Sequence, residues 1–334
     1  MKIKIAIVGY GNVGKSIEKL AYNSNEFKTL GIFTRREGVT SPFGTPVFKQ
    51  SALLDARLKD EIDVAMLAVG SAFDITKTAE KIAANYSTVD SFDTHAKMGE
   101  YISSLDDICK MSGTLAFVGC GWDPGIFSLE RALFSAVVQG SIPQTFWGEG
   151  VSQGHSEAIR RIKGVKYAIQ YTIPIESALK EAREGRTDFA LREKHRRECF
   201  VVPDYSTYFD KSAEDVSQDE KASLQAGIRE QIVTMPNYFA DYDTTVHFVS
   251  EEEFLRHHQA AYHGGEVIAC SNAGAKNRAE FSVSLESNPD FTAGIMLAYA
   301  RANFRMQKEG ERGAKTVLDV PVGYLLNGDG LKFV

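Results

Sequence analysis

The sequence predicts an α/β fold: a doubly wound parallel-sheet domain followed by a second, α+β domain with a mixed or antiparallel sheet. Apolar runs alternate with amphipathic helical stretches over the first 120 residues. A glycine-rich turn joins the first strand to the first helix. After Gly121 several strands alternate apolar and polar residues, as in Phe281-Ser-Val-Ser-Leu285, the pattern of a sheet with one solvated face. The length of 334 residues also exceeds the size at which one core usually stops growing.

Residues 3–8 (IKIAIV) are continuously apolar, as a strand buried on both faces requires. A helix is expected over 13–22, with Ile17, Leu20 and Ala21 on one face. Strands follow at 30–34 and 64–69, a helix at 73–85, a short strand at 88–91, a helix around 95–111 and a strand at 115–119. Strands spaced by helices pair in parallel through right-handed crossovers. A helix at 124–139 opens the second part. Strand character then recurs at 145–147, 167–173, 199–202, 244–249, 266–269 and 281–285, between charged helical stretches at 177–184 and 212–232. Asn288-Pro289-Asp290 has the form of a helix start, because proline suits an early helical position, and the helix should run over 291–307. The nucleotide-binding domain is placed at 1–120 and a substrate-binding and dimerisation region at 121–289. Residues 290–334 are expected to return to the first domain.

A formal net charge of −6 disfavours nucleic acid as a partner. The one basic cluster, Lys194-His195-Arg196-Arg197, is short, flanked by Glu193 and Glu198, and reads as a helix end or strand start. Cys109, Cys120, Cys199 and Cys270 form no C-x-x-C pair, so free thiols in a reducing cytoplasm are expected. His257, His258 and His263 match no familiar ligand spacing, and no metal is expected. Neither a signal peptide nor a membrane span is expected.

Gly9-Tyr10-Gly11-Asn12-Val13-Gly14 matches G-x-G-x-x-G between a strand and a helix, the setting of a Rossmann-like dinucleotide site. Gly9 permits the tight turn, Gly11 lets a pyrophosphate approach, and Gly14 lets helix and strand pack closely. The helix start then offers free N–H groups to the phosphates. The second strand ends in Thr34-Arg35-Arg36, where NAD sites usually place an acid. Arginine forks match the oxygens of a 2′-phosphate, so NADP is the expected cofactor. Glu37 keeps open a reading of the two arginines as a solvated turn. Gly70, Ser71, Ser91, Phe92 and Asp93 end later strands, where ligands of such sheets sit. Asp93 and Asp123 are candidate acids near the nicotinamide, suited to hold a substrate ammonium and remove a proton. Asp93 also fits a helix N-cap, as does Thr94, and Asp123 also fits a turn before Pro124.

The chain resembles the meso-diaminopimelate D-dehydrogenases. The segments are Ala6-Ile-Val-Gly-Tyr-Gly-Asn-Val-Gly14, Ile32-Phe-Thr-Arg-Arg36, Val89-Asp-Ser-Phe-Asp93, Gly121-Trp-Asp-Pro-Gly125, Phe146-Trp-Gly-Glu-Gly150, Ser152-Gln-Gly-His-Ser156, His263-Gly-Gly265 and Asn288-Pro-Asp-Phe291. The resemblance implies reversible NADP-dependent oxidative deamination at the D-centre of meso-2,6-diaminopimelate, within lysine and peptidoglycan-precursor synthesis, by a cytoplasmic homodimer. It implies that Asp93, Trp122, Asp123, Trp147, Gln153 and Gly154 surround the reacting D-end. It likewise implies that Thr172, Arg197, His263 and Asn288 hold the L-end. Bland alternatives stand beside these: Trp147 as core, His263 in a hairpin turn, Asn288 as an N-cap, and Arg196 in place of Arg197. The stretch 205–224 reads as a polar surface insertion. Two other functions fit the fold: a dihydrodipicolinate-reductase-like NADP enzyme, and an NADPH-binding redox sensor without turnover.

Overall fold

The computed structural model describes residues 2–54, 58–70, 75–212, 214–258 and 262–334. The chain forms two compact units, Met1–Ala132 with Pro289–Val334, and Leu133–Asn288.

The first unit contains β1 (Ile3–Val8), α1 (Asn12–Tyr22), β2 (Phe27–Thr34), β3 (Val47–Lys49), β4 (Val64–Leu67), α2 (Ile75–Ala83), β5 (Thr88–Asp90), α3 (Met98–Ser112) and β6 (Leu115–Val118). The helix α4 (Ile126–Val137) carries the division between the units, which the sequence places near residue 120. In the second unit come β7 (Gln144–Trp147), β8 (Gly150–Val151), α5 (Gln153–Arg160), β9 (Val165–Pro174), α6 (Glu176–Arg183), α7 (Leu191–Lys194) and β10 (His195–Pro203). They are followed by α8 (Tyr205–Phe209), α9 (Gln218–Val233), β11 (Asp243–Phe248), α10 (Glu251–His257), β12 (His263–Cys270) and β13 (Arg278–Leu285). The chain ends with α11 (Asn288–Lys308), β14 (Gly313–Thr316) and α12 (Val322–Leu325).

Seven parallel strands in the order β14-β6-β5-β4-β1-β2-β3 make the first sheet. The order reverses between β1 and β4, so the carboxyl ends of those two strands form the crevice where such sheets take ligands. The apolar runs expected for β1 and β4 are buried on both faces. Ile5, Ile7 and Met66 pack on one side with Ile17 of α1 and Met296 and Tyr299 of α11. Ala6, Val8 and Leu67 pack on the other with Ala79 of α2 and Leu105 of α3.

The second unit has a mixed sheet, β11-β10-β9-β8, in which only β10 and β11 are parallel. It also has an antiparallel sheet, β13-β12-β7. Leu224, Ile228 and Ile232 of α9 cover one with Cys199 and Val201, and Ala178, Leu179 and Ala182 of α6 cover the other with Phe146 and Ile268. The fold class is the one expected.

Several details differ from expectation. The edge strands β3 and β14 are too short to show a pattern in sequence. β10 begins at His195, four residues before the expected Cys199, because charged residues alternate into the interior there: His195 and Arg197 are buried and Arg196 is exposed. The 212–232 helix starts only at Gln218, where Ser217 and Glu220 form a capping box. The stretch 205–224 is not purely surface, because Leu224 is core. Of the helix expected at 73–85, residues 73 and 74 lie outside the described residues.

Tyr299 fixes α11 to the sheet through a T-shaped contact with Phe117, yet its buried hydroxyl has no hydrogen-bond partner among the described residues. Tyr299→Phe should therefore be neutral or stabilise by about 1 kcal/mol, whereas Tyr299→Ala should cost about 3–5 kcal/mol in urea unfolding. A clear loss of stability in the phenylalanine variant would contradict the packing described.

Candidate active site

The first strand delivers the glycine turn. Gly9 has φ +88°, and a Cβ there would lie 2.6 Å from the Ala68 carbonyl oxygen. A Cβ on Gly14 would lie 2.4 Å from the Gly9 oxygen, so α1 touches the turn directly. At Gly11 a Cβ would meet nothing within 4 Å. Gly11 is the N-cap of α1, no side chain caps the helix, and its first turn holds no acid. Open space in front of uncapped N–H groups is what a pyrophosphate requires. Asn12 is exposed and Val13 half-buried at this mouth. Tyr10 is buried and its phenol donates to Glu18, so it meets the turn through its backbone.

Beyond β2, a cavity of about 550 Å³ is lined by Thr34, Arg35, Arg36, Glu37 and Lys49, among others. Arg36 donates to the Tyr10 carbonyl from its guanidinium and to Thr34 Oγ1 from its backbone N–H. This ties the arginine turn to the glycine turn. Lys49 arrives by register, opposite Thr34 at the end of β3. Gly70 is exposed just after β4, and Ser71 lies outside the described residues.

The loop after β5 carries Ser91, Phe92 and Asp93. Phe92 is buried, so its side chain belongs to the core. Asp93 is exposed and does not cap a helix: the N-cap of the following 3-10 turn is Thr94, without a side-chain bond. The turn after β6 lies against this loop, with a Cβ on Gly121 reaching 3.6 Å from Ser91 Cβ. Gly125 has φ +139°, and a Cβ there would lie 1.6 Å from the Gly121 oxygen, so only glycine closes this turn. Trp122 is half-buried with its ring edge on Phe127. Asp123 is held by Arg131 in a forked pair of 2.6 and 3.2 Å, its side chain 3% exposed.

In the second unit the segment from Trp147 to Gly150 gathers several expected residues. A Cβ on Gly148 would lie 2.1 Å from the Thr172 oxygen, and one on Gly150 would lie 2.9 Å from His263 Cα. Thr172 and Arg197 face each other across β9 and β10, and the Arg197 guanidinium donates to Thr172 Oγ1. The guanidinium also lies over the Tyr242 ring, 4.0 Å from its centroid. Arg197 is buried, and among the described residues its Nε has no acceptor and no carboxylate pairs with it. His263 is buried at the first position of β12, a strand and not a hairpin turn. Gln153 and Gly154 are exposed in the first turn of α5. Asn288 is half-buried and opens α11.

A family model, the diaminopimelic acid dehydrogenase C-terminal domain, matches residues 121–287. The meso-diaminopimelate D-dehydrogenase of Ureibacillus thermosphaericus is 45% identical over 97% of this chain and 95% of that protein. The corresponding enzyme of Corynebacterium glutamicum is 40% identical over 98% of this chain and 97% of that protein. The chain belongs to the meso-diaminopimelate D-dehydrogenase family. Among solved structures, the C. glutamicum DAP dehydrogenase in complex with DAP superposes with a TM-score of 0.88 at 38% identity, over 99% of this chain and 98% of that one. An engineered D-amino acid dehydrogenase bound to NADP+ gives 0.84 at 37% identity, over 100% and 98%.

Four further side chains, which the sequence did not single out, lie beside expected site residues within their own units: Lys49 and Arg131 in the first, His195 and Tyr242 in the second. His195 Nε2 accepts from the Trp147 backbone N–H at 2.9 Å, and the two rings stack. His195 was legible in principle, because a two-residue period puts it on the face of Arg197. Burial, with Arg197 and Lys194 nearby, pulls its imidazole down to about 3. Burial and Arg197 pull His155 down to about 4. Both groups bind protons more readily unfolded than folded. Stability should therefore be full above about pH 6.5 and fall as pH drops toward 4 and 3, by up to about 1.4 kcal/mol per pH unit for each proton. Urea unfolding of wild type between about pH 7.5 and pH 5 should show this slope, and His195→Gln should flatten it. A pH-independent wild type would refute the neutral state of both rings.

Proposed function

We propose that the protein catalyses reversible oxidative deamination at the D-centre of meso-2,6-diaminopimelate. NADP+ and water are consumed, and L-2-amino-6-oxopimelate, ammonium, NADPH and a proton are formed. The observation that carries this reading is Arg197. A guanidinium buried without a carboxylate partner calls for an anionic ligand, and a substrate carboxylate supplies one in bidentate form. The nearly full-length likeness to D-dehydrogenases supports the same choice.

The glycine turn and the uncapped start of α1 fit a pyrophosphate, and Arg35, Arg36 and Lys49 fit a 2′-phosphate. NADP, when bound there, supplies the hydride acceptor. Thr172, His263 and Asn288 join Arg197 at the L-end, where their directional hydrogen bonds distinguish two ends that differ only in handedness. Trp122, Trp147, Gln153 and Gly154 border the D-end, the indoles acting as rigid walls. Asp123, its carboxylate oriented by Arg131, binds the D-ammonium. Asp93, exposed and in no ion pair among the described residues, takes the ammonium proton and later serves as base toward the attacking water. We further assign the enzyme to lysine and peptidoglycan-precursor synthesis in the cytoplasm, as a homodimer; among the described residues no helix is long and apolar enough to cross a membrane.

NADPH formation with meso-, LL- and DD-diaminopimelate side by side, with ammonia-dependent NADPH consumption in reverse, tests the activity. Turnover without ammonia would favour a ring-imine reductase, and NADPH binding without turnover a sensor. Arg197→Ala should raise the diaminopimelate KM about 100-fold, with NADP+ binding unchanged; an unaltered KM would remove the proposed grip. Replacing Arg35 and Arg36 with an acid and a neutral residue should turn preference toward NAD, and Lys49→Ala should weaken 2′,5′-ADP but not 5′-AMP. Retained NADP preference in the double variant would count against the 2′-phosphate assignment. Light scattering should give twice the 36.8 kDa chain mass.

A further inference from the structure

Asp90, the last residue of β5, is fully buried and meets no cation among the described residues. Its carboxylate is satisfied by three donors from three places. Oδ1 accepts from the Phe92 N–H at 2.9 Å and from the Gly119 N–H at 3.1 Å. Oδ2 accepts from the Tyr101 hydroxyl at 2.7 Å. The Asp90 carbonyl adds a fourth bond, from the Cys120 N–H at 2.7 Å. Phe92 lies in the loop that carries Asp93, and Gly119 begins the turn that carries Asp123. Tyr101 of α3 packs its ring on Phe92, 4.6 Å between centroids, and so fixes the joint from beneath.

We propose that Asp90 is a positioning residue, which locks the loop bearing Asp93 to the turn bearing Asp123 and so sets the spacing of the two acids. A single oxygen shared by one N–H from each loop couples their movements. Were that oxygen absent, both N–H groups would be buried without acceptors and each loop would relax separately. Burial pushes the Asp90 carboxyl up, and the three donors draw it back. A neutral amide is therefore compatible with the joint. In Asp90→Asn the Oδ1 acceptor is kept, and the new NH2 faces the Tyr101 oxygen, which can accept. The role rests on the catalytic assignment of Asp93 and Asp123 above.

The test compares Asp90→Ala and Asp90→Asn with wild type. Asp90→Ala should lower kcat about 100-fold, the usual order for a misplacement near 1 Å, and change the diaminopimelate KM much less. Binding of 2′,5′-ADP, which reads only the adenosine end, should be unchanged. Asp90→Asn should restore most of kcat. Amide hydrogen exchange at Phe92 and Gly119 should speed up in the alanine variant alone. That readout is independent of substrate, so it separates a failed joint from a failed assignment of the reaction. An alanine variant with wild-type kcat, an asparagine variant as impaired as alanine, unchanged exchange at both amides, or loss of 2′,5′-ADP binding would each overturn the proposal.

Discussion

Keeping Arg197 buried as a cation with no carboxylate partner among the described residues constrains much of the second unit. Desolvating a guanidinium costs several kcal/mol, and the chain offsets this only in part. Thr172 accepts one bond, the Tyr242 ring lies beneath the charge, and among the described residues Nε is left without an acceptor. The neighbouring histidines respond to the same field. His155 and His195 are both pulled well below their ordinary range by burial and by Arg197, so both imidazoles favour the neutral form beside that guanidinium. A single buried cation matches one carboxylate, and the neutral His195 ring is free to accept the Trp147 N–H.

Backbone approach is the second constraint, and glycine meets it in both units. Gly9, Gly125 and Gly148 each put a hypothetical Cβ within 2.6 Å of a carbonyl oxygen. All three have positive φ, so the contact and the dihedral exclude a side chain independently. The consequence is that backbone meets backbone without intervening bulk: the first glycine turn lies against Ala68 after β4 in the first unit, and Gly148 lies against Thr172 of β9 in the second.

Buried parallel strands were legible because a strand covered on both faces must be apolar throughout, as at β1 and β4. The glycine fingerprint was legible because its spacing is imposed by the turn itself. β3 and β14 were not, since three or four residues at a sheet edge carry no period. Arg197 shows why partial legibility is common. A charge run reads as solvated surface, yet in β10 every second residue turns inward, so Arg196 is exposed while its neighbour is buried. Arg131 and Tyr242 were invisible for a different reason: their partners are set by a turn and by a parallel strand pairing, neither of which leaves a local signature.

The two groups of cations differ in dielectric setting. Arg35 and Arg36 are exposed, as is Lys49 opposite them. Exposed ion pairs contribute roughly 0–1 kcal/mol each and are screened by salt. Under the proposed function, selectivity for a doubly charged phosphate there comes from several contacts acting together, with Arg36 held in place by the Tyr10 carbonyl and Thr34. Arg197 is the one cation among the polar groups assigned to the L-end, and it lies out of water, where truncating one partner of a charge pair costs roughly 2–5 kcal/mol. A coenzyme shared among many enzymes needs only a graded preference. A substrate whose two ends have identical groups needs a strict one, and under the proposed function the one unpaired buried guanidinium, among the described residues, would meet that need.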